Sequence, residues 1–110
     1  MRISLGIALF LGIIMFSCNK PPEACISVDN NSPGVGTDIQ LSADCSKHAL
    51  SYIWKFEGPA SSSLNSVERS EEIITVAFDT VGSYTITLEA YQKYSWVGQM
   101  SSTTTTVSVN

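Results

Sequence analysis

The chain has 110 residues and a formal net charge of −4, a length typical of a single domain. Its six lysines and arginines are scattered along the sequence, so it lacks the basic face that binds nucleic acids, and we expect no nucleic-acid partner. It has one histidine, and nucleophilic catalysis needs a base beside the nucleophile, so we expect no enzyme.

The first 17 residues have the pattern of an export signal. Arg2 supplies a positive charge, and residues 3–16 are apolar except for Ser4. A membrane span needs about 20 residues, whereas the apolar part of a signal peptide needs about 7–15. Residues 1–17 are therefore predicted to be a signal peptide, and the chain that follows to be exported.

Residues 15–18, Met-Phe-Ser-Cys, resemble a bacterial lipobox, in which the cysteine is acylated and becomes the new first residue. Ser17 fits that pattern, and Phe16 departs from the small or aliphatic residue usual at its position. The resemblance implies that Cys18 carries lipid and that its acyl chains anchor the protein in the membrane of a bacterial cell envelope. Asn19 is not the aspartate that marks inner-membrane retention in enteric lipoproteins, which favours the outer membrane. The alternatives are an uncleaved signal anchor and cleavage at another position.

Two further cysteines, Cys25 and Cys45, follow a short tether formed by residues 18–23. Prolines in the tether favour an extended, stiff backbone. An even pair of cysteines in an oxidising compartment predicts a disulfide, and antiparallel pairing of the strand-like runs around them would bring the thiols together. Two free buried thiols are the alternative. A metal site is not expected, because the pair and the lone His48 lack a fourth ligand at a standard spacing.

From residue 24 onward, short runs of alternating apolar and polar residues are separated by turn residues, which predicts an all-β sandwich. No stretch shows helical periodicity over a useful length. Residues 57–72 are rich in serine and glutamate and are predicted to form a solvated loop with a short edge strand at residues 64–67. The residues predicted to face the core are Ile26, Val28, Ile39, Leu41, Ala43, Leu50, Tyr52, Trp54, Phe56, Ile74, Val76, Phe78, Tyr84, Ile86, Leu88, Ala90, Val107 and Val109.

Three motifs stand in order along this part of the chain. They are Val-Gly-Thr-Asp-Ile at residues 35–39, Tyr-Ile-Trp-Lys-Phe-Glu-Gly at residues 52–58, and Phe-Asp-Thr-Val-Gly-Ser-Tyr-Thr-Ile-Thr-Leu at residues 78–88. Together they resemble the PKD domain, an immunoglobulin-like β-sandwich common in extracellular and cell-surface proteins. The resemblance covers residues 24–110 and implies a PKD-like sandwich of about seven strands.

The resemblance also carries expectations about particular residues. It implies a buried Trp54 and a Tyr84 whose hydroxyl reaches back to the backbone. The placement of Cys25 and Cys45 is similar to that in lipidated bacterial members, in which a disulfide ties the first two strands together.

Two departures from the family signature limit what the resemblance implies. Lys55 stands at a position where the signature has aspartate, and the signature's Gly-Asp-Gly turn is reduced at residues 57–59. A role that depends on those acidic turn residues is therefore not expected. The fold is expected to persist, because Trp54 and Phe56 remain.

The carboxylate clusters are interpreted as ordinary surface. Glu68, Glu71 and Glu72 lie in the long loop, and Asp29 precedes two asparagines in a turn. Oxygen-rich groups of this kind can ligate calcium, but they are also typical of solvated turns on acidic exported proteins. We expect no catalytic residue, no metal and no cofactor.

Asp79, Thr80 and Val81 resemble a three-residue O-glycosylation signal that some Gram-negative bacteria use on exported proteins. Thr80 is therefore a candidate acceptor of a glycan. The alternative is that the same three residues only form a turn of the domain. Glycan-sized mass on Thr80 would distinguish the two.

The region between the last two predicted strands is rich in aromatic residues. Tyr91, Tyr94 and Trp96 are predicted to lie near one end of the sandwich, where binding loops usually sit. Aromatic faces stack on sugar rings, and Trp and Tyr are enriched at protein interfaces. These three residues are the candidate ligand-binding residues, and the alternative is that they cap the core.

Taken together, these features predict a non-catalytic, membrane-anchored envelope lipoprotein. Its domain is predicted to contact a polysaccharide or an envelope protein through its loops and the aromatic hairpin. The alternative function is purely structural, as an accessory or spacer subunit of an envelope assembly with no ligand of its own.

Overall fold

The structure is a computed structural model that describes residues 20–93 and 99–110. The predicted signal peptide and Cys18 lie outside the described residues. Within the described ranges, no helix is long and apolar enough to cross a membrane. The strands found there are β1 (Ser27–Val28), β2 (Asp38–Ser42), β3 (Ser51–Glu57), β4 (Glu68–Arg69), β5 (Ile73–Ala77), β6 (Gly82–Tyr91) and β7 (Met100–Val109).

These strands form two sheets that pack face to face. The three-stranded sheet has the order β1-β2-β5, and the four-stranded sheet has the order β4-β3-β6-β7. All strand pairs are antiparallel. The prediction of an all-β, immunoglobulin-like sandwich of seven strands is confirmed.

The core lies between the sheets and is built from the side chains that alternate inward. Its largest fully buried side chains are Trp54, Tyr84, Phe56 and Phe78. The rings of Phe78 and Tyr84 pack in a tilted arrangement with their centroids 4.4 Å apart. The indole nitrogen of Trp54 donates a hydrogen bond to the carbonyl oxygen of Glu71 at 2.7 Å. The one polar atom of this buried ring is therefore satisfied, as burial requires.

The prediction that Leu50 faces the core is wrong. β3 begins one residue later, at Ser51, and Leu50 is 66% exposed. His48 has a positive φ of 57°, a left-handed conformation that turns the chain just before the strand. Leu50 therefore lies at the end of the sandwich, and full burial along β3 begins at Trp54.

The predicted edge strand at residues 64–67 is displaced along the chain. The observed strand is β4, in which Arg69 lies opposite Trp54. Leu64 and Val67 belong to the preceding turn and pack against the core. The prediction placed the strand at these two residues because they are apolar. The strand forms instead where the backbone pairs with β3.

The predicted disulfide between Cys25 and Cys45 is confirmed. The two Cα atoms are 5.5 Å apart, within the usual range for a disulfide. Antiparallel pairing of β1 with β2 brings the two segments together. Ser46 reinforces the link, because its hydroxyl accepts from the Cys25 amide at 2.9 Å and donates to the Cys25 carbonyl.

A tyrosine corner closes the opposite end of the sandwich, as the family resemblance implies. The hydroxyl of buried Tyr84 donates to the carbonyl oxygen of Thr80 at 2.8 Å. Gly58 lies directly against the Tyr84 ring, so that a Cβ at this position would collide with the ring. Gly82 has a φ of +145°, which favours glycine. The close approach of the Tyr84 ring requires glycine at position 58, and the positive φ favours glycine at position 82.

We expect loss of the disulfide to destabilise the fold strongly. Replacing Cys25 and Cys45 together by serine should lower the free energy of unfolding by about 3 kcal/mol, because a disulfide closing a loop of this size constrains the unfolded chain. Urea unfolding followed by tryptophan fluorescence measures this change. An unchanged midpoint in the double variant would contradict the prediction.

The tyrosine corner yields a second stability prediction. Tyr84→Phe should lower the free energy of unfolding by about 1–2 kcal/mol, because the Thr80 carbonyl loses its partner. Tyr52→Phe is the matched control, since the half-buried Tyr52 hydroxyl makes no hydrogen bond within residues 20–93 and 99–110. Thermal unfolding of both variants should separate them; equal melting temperatures would show that the corner contributes nothing.

Candidate functional site

The four-stranded sheet turns one face toward the core and the other toward solvent. We call the solvent side the outer face. Because side chains alternate along each strand, its members follow from the register of β3, β6 and β7. They are Ser51, Ile53, Lys55, Glu57, Ser83, Thr85, Thr87, Glu89, Tyr91, Met100, Ser102, Thr104, Thr106 and Ser108.

Hydroxyl side chains form ordered rows across this face. Thr87 lies opposite Thr104, and Thr85 lies opposite Thr106. Directly opposed Cβ atoms in such pairs are about 4.5–5.5 Å apart, and successive outward residues on one strand are about 6.6 Å apart. The outer face therefore presents a regular grid of groups that can both donate and accept hydrogen bonds.

A charged and aromatic cluster occupies the outer face beside these rows. The Lys55 ammonium lies 3.1 Å from Oε2 of Glu89, and the Tyr91 hydroxyl donates to Oε1 of the same carboxylate at 2.8 Å. The Glu89 side chain is only 15% exposed, whereas that of Lys55 is 43% exposed. Glu89 thus holds both neighbours in fixed positions, while Lys55 keeps access to solvent.

The protonation states of this cluster follow from its contacts. The hydrogen bond to Glu89 raises the pKa of Lys55. Burial, and then the hydrogen bond to Glu89, raise the pKa of Tyr91. Lys55 therefore remains a cation and Tyr91 a neutral donor at neutral pH. The lysine that replaces the aspartate of the family signature has gained a carboxylate partner on β6.

Two shallow cavities open on either side of β4 at the border of the outer face. One, of about 380 Å³, is lined by Ile53, Glu68, Arg69, Ser70 and Glu71. The other, of about 320 Å³, is lined by Lys55, Phe56, Glu57, Ser66, Val67, Glu68 and Thr87. Glu68 lies between them and lines both. The face is therefore a hydroxyl-rich surface bordered by two acidic recesses.

An exposed ion pair fixes part of the first recess. Nε of Arg69 lies 3.3 Å from Oε1 of Glu71. The pKa of Glu71 is lowered, first by its own backbone amide and further by Arg69. Glu71 is therefore a stable anion, and Arg69 is already engaged by it.

The predicted aromatic residues are only partly placed by the structure. Tyr91 lies on the outer face and is half-buried. Tyr94 and Trp96 lie outside the described residues, so their role stays a prediction. Lys55 and Glu89 were not predicted as site residues. Their outward positions follow from the alternation around Trp54 and Leu88. Their contact depends on the register between β3 and β6, which cannot be read from the sequence alone.

Thr80 and Asp79 lie together at the other end of the sandwich. The Asp79 carboxylate accepts hydrogen bonds from the amide of Ser63 at 3.1 Å, the hydroxyl of Ser62 at 2.9 Å and the hydroxyl of Thr80 at 3.1 Å. The Thr80 carbonyl accepts from Tyr84. O-glycosylation of Thr80 stays a prediction. A glycan on the Thr80 oxygen would replace the hydroxyl hydrogen and so remove the hydrogen bond to Asp79.

No cluster of three or more histidine, cysteine, aspartate or glutamate side chains able to hold a metal occurs in the described part of the chain. Glu68 and Glu71 line the same recess, but Glu71 is paired with Arg69. The His48 side chain is exposed in its turn.

Comparison with known proteins agrees with this architecture. The sequence profile of the PKD domain matches residues 26–109. A solved structure described as "Structural basis for the promiscuous specificity of the carbohydrate-binding modules from the beta-sandwich super family" is similar over 84% of this chain, with a TM-score of 0.64 and 20% identity. The match spans 35% of that solved chain, so the likeness concerns the fold of one part of it. No curated protein matches the sequence.

The Asp79 cluster gives a pH-dependent prediction. Hydrogen bonds from Ser63, and then the one from the Ser62 hydroxyl, lower the pKa of Asp79 from 3.8 to about 2. The folded-state pKa is below the unfolded one, so the stabilisation is present above the unfolded pKa and is lost as the pH falls through the folded pKa. Asp79→Asn should therefore be less stable than wild type near neutral pH, and the difference should shrink as the pH approaches 2.

Chemical unfolding at a series of pH values measures this difference. Asp38→Asn, at the exposed start of β2, is the matched control for removal of one surface carboxylate. A difference between wild type and Asp79→Asn that stays constant from neutral to acidic pH would refute the prediction.

Proposed function

The chain belongs to the PKD domain family, and on that premise we propose that it is a non-catalytic, exported module that binds a neutral polysaccharide on its outer face. In this proposal Cys18 carries a lipid that anchors the module in the cell envelope, with the outer membrane favoured. The observation that carries the proposal is the Glu89 carboxylate, which fixes Lys55 and Tyr91 beside the rows of hydroxyl groups.

This arrangement matches the chemistry of a sugar chain. A sugar ring presents apolar C–H groups that pack on an aromatic surface and hydroxyls that need partners of fixed orientation. Tyr91 combines an apolar ring with an already oriented hydroxyl, and Lys55 adds a partly exposed donor. Because these groups are held in place before binding, little ordering entropy would be lost when a ligand docks.

The charges of the outer face argue for a neutral ligand. On β3, β4 and β6, Glu57, Glu68 and Glu89 outnumber the single lysine, Lys55, and Arg69 is paired with Glu71. An anionic polysaccharide would meet like charges at both recesses, which costs affinity and on-rate. A neutral chain would not.

The same contacts support binding rather than catalysis. Glu89 accepts hydrogen bonds from both Lys55 and Tyr91, so its two oxygens are occupied by positioning contacts. An acid/base pair needs a free carboxylate within reach of the substrate. The solved neighbour supports the sandwich fold as a scaffold for carbohydrate binding, and the ligand class here is argued from the face itself.

We expect Tyr91→Ala to weaken binding of a neutral polysaccharide about thirty-fold, as loss of an interface hot spot worth about 2 kcal/mol would do. Tyr91→Phe keeps the ring and removes the hydroxyl, so it should bind with an intermediate affinity. The measurement is titration of the full-length lipoprotein, held in detergent micelles, against neutral and acidic polysaccharides.

Two threonine variants test whether the outer face is the site. Thr87→Ala should weaken binding, whereas Thr75→Ala, on the solvent side of β5, should bind like wild type. Equal binding by all variants would place the site elsewhere. Binding to no polysaccharide in the panel would favour the structural role as an accessory or spacer subunit.

A further inference from the structure

The N-terminal tether is bonded to one particular end of the sandwich. The carbonyl oxygen of Lys20 accepts from the side-chain amide of Gln92 at 3.0 Å. Glu23 and Lys47 form an isolated antiparallel bridge with two backbone hydrogen bonds of 2.9 and 3.0 Å. The disulfide at Cys25 follows immediately. The chain therefore approaches the domain at the end where β6 stops and β3 starts.

Covalent geometry carries this direction back to the predicted anchor. Cys18 is two residues before Lys20, and consecutive Cα atoms are 3.8 Å apart, so their Cα atoms are at most about 8 Å apart. This limit holds whether Cys18 is acylated or the apolar residues 3–16 are retained as a signal anchor. Either form of membrane attachment holds this end of the domain close to the bilayer, and the end with Asp79 away from it.

Basic side chains are concentrated at the same end. Of the five lysines and arginines after residue 19, three are here, namely Lys20, Lys47 and Lys93, and all three are exposed. Three acidic residues lie toward this end as well, namely Glu23, which is paired with Lys47, and Asp44 and Glu72, which lie near Tyr52. Lys20 and Lys93 are held at the end of the four-stranded sheet, because the Lys20 carbonyl accepts from Gln92 and the Lys93 carbonyl accepts from the Ser51 hydroxyl.

Two exposed apolar side chains lie beside these lysines. Leu50 is 66% exposed and Met100 is 49% exposed. The Leu50 amide donates to the carbonyl of Tyr91, and Met100 lies opposite Tyr91 in the sheet. The two are therefore brought to the same end of β6, next to Lys93. Apolar side chains flanked by lysines are the combination that binds the headgroup region of a bilayer.

We propose that this end of the sandwich, defined by Lys20, Lys47, Leu50, Lys93 and Met100, docks on an anionic phospholipid surface. Leu50 and Met100 enter the interface, and the lysines contact headgroup phosphates. The domain then stands on the membrane in one orientation, with Asp79 and Thr80 pointing outward. This inference rests on the proposed membrane attachment, but not on polysaccharide binding.

The test uses the full-length lipoprotein reconstituted into vesicles of phosphatidylcholine alone or mixed with phosphatidylglycerol. Flotation first establishes attachment, and amide hydrogen exchange then reports docking. We expect exchange near residues 47–50 and 92–93 to be at least fivefold slower on the anionic vesicles, since one lysine at an anionic surface contributes about fivefold. Raising the salt concentration should reverse the effect. Exchange near residues 79–83 should be the same on both vesicles.

A triple variant, Lys47→Glu, Leu50→Glu and Lys93→Glu, should lose this protection while still floating with the vesicles. Val81→Glu is the matched control, because Val81 is 61% exposed at the opposite end, and it should keep the protection. Equal exchange on both vesicle types would overturn the proposal and mean that the domain hangs freely on its tether. Failure to float would overturn the attachment on which it rests. Polysaccharide binding, measured separately on the triple variant, should persist.

Discussion

Burial of the Trp54 and Tyr84 rings between the two sheets is the constraint on which the rest of the structure depends. Each ring carries one polar atom, and each polar atom is used to fix a connection. The Trp54 nitrogen holds the backbone at Glu71, where the chain crosses from one sheet to the other, and the Tyr84 hydroxyl holds Thr80, where it crosses back. A slip of one residue in either strand would move its buried set to the solvent side. The core therefore sets the register, and the register sets the outer face.

The outer face is a consequence of this register. Lys55 is placed outward because Trp54 and Phe56 on either side of it are buried. Glu89 is placed outward for the same reason on β6, between buried Leu88 and Ala90. The ion pair adds little to stability, because the Lys55 side chain is 43% exposed and solvent screens its charge. The pair is better explained as positioning, since it orients a tyrosine on a face that is otherwise made of hydroxyls.

Much of the fold could be predicted because alternation and motif spacing are local properties. The inward residues of β2, β5 and β6 were predicted individually and are buried, and the disulfide followed from pairing of two neighbouring runs. Leu50 was misassigned because periodicity alone cannot show where a strand starts. The left-handed turn at His48 makes β3 begin only after Leu50. β4 was misplaced because a two-residue edge strand is defined by backbone pairing and carries no apolar signal.

The candidate site was harder to predict, because its contacts join residues far apart in sequence. Lys55 and Glu89 are separated by 34 residues, and only the pairing of β3 with β6 brings them together. The proposed docking end is similar, since Lys20, Lys47 and Lys93 come from three segments that meet only after the tether has bonded to the domain. Aromatic residues were the one local signal of a site, and of these only Tyr91 lies within the described ranges.

The outer face and the proposed docking end share Met100, and this fixes how they are arranged. Tyr91 is the last residue of β6, flanked by Met100 across the sheet and by Leu50 at the end of the sandwich. β6 and β7 have ten residues each, so the face extends about 33 Å along the strands from that point. If the proposed docking end rests on the membrane, the strands and their hydroxyl groups run outward from it, and a polysaccharide lying along the strands would be held upright. If the domain instead hangs freely, the same face would be presented in every direction. Docking would therefore determine the direction in which a bound chain leaves the surface, without changing the contacts that bind it.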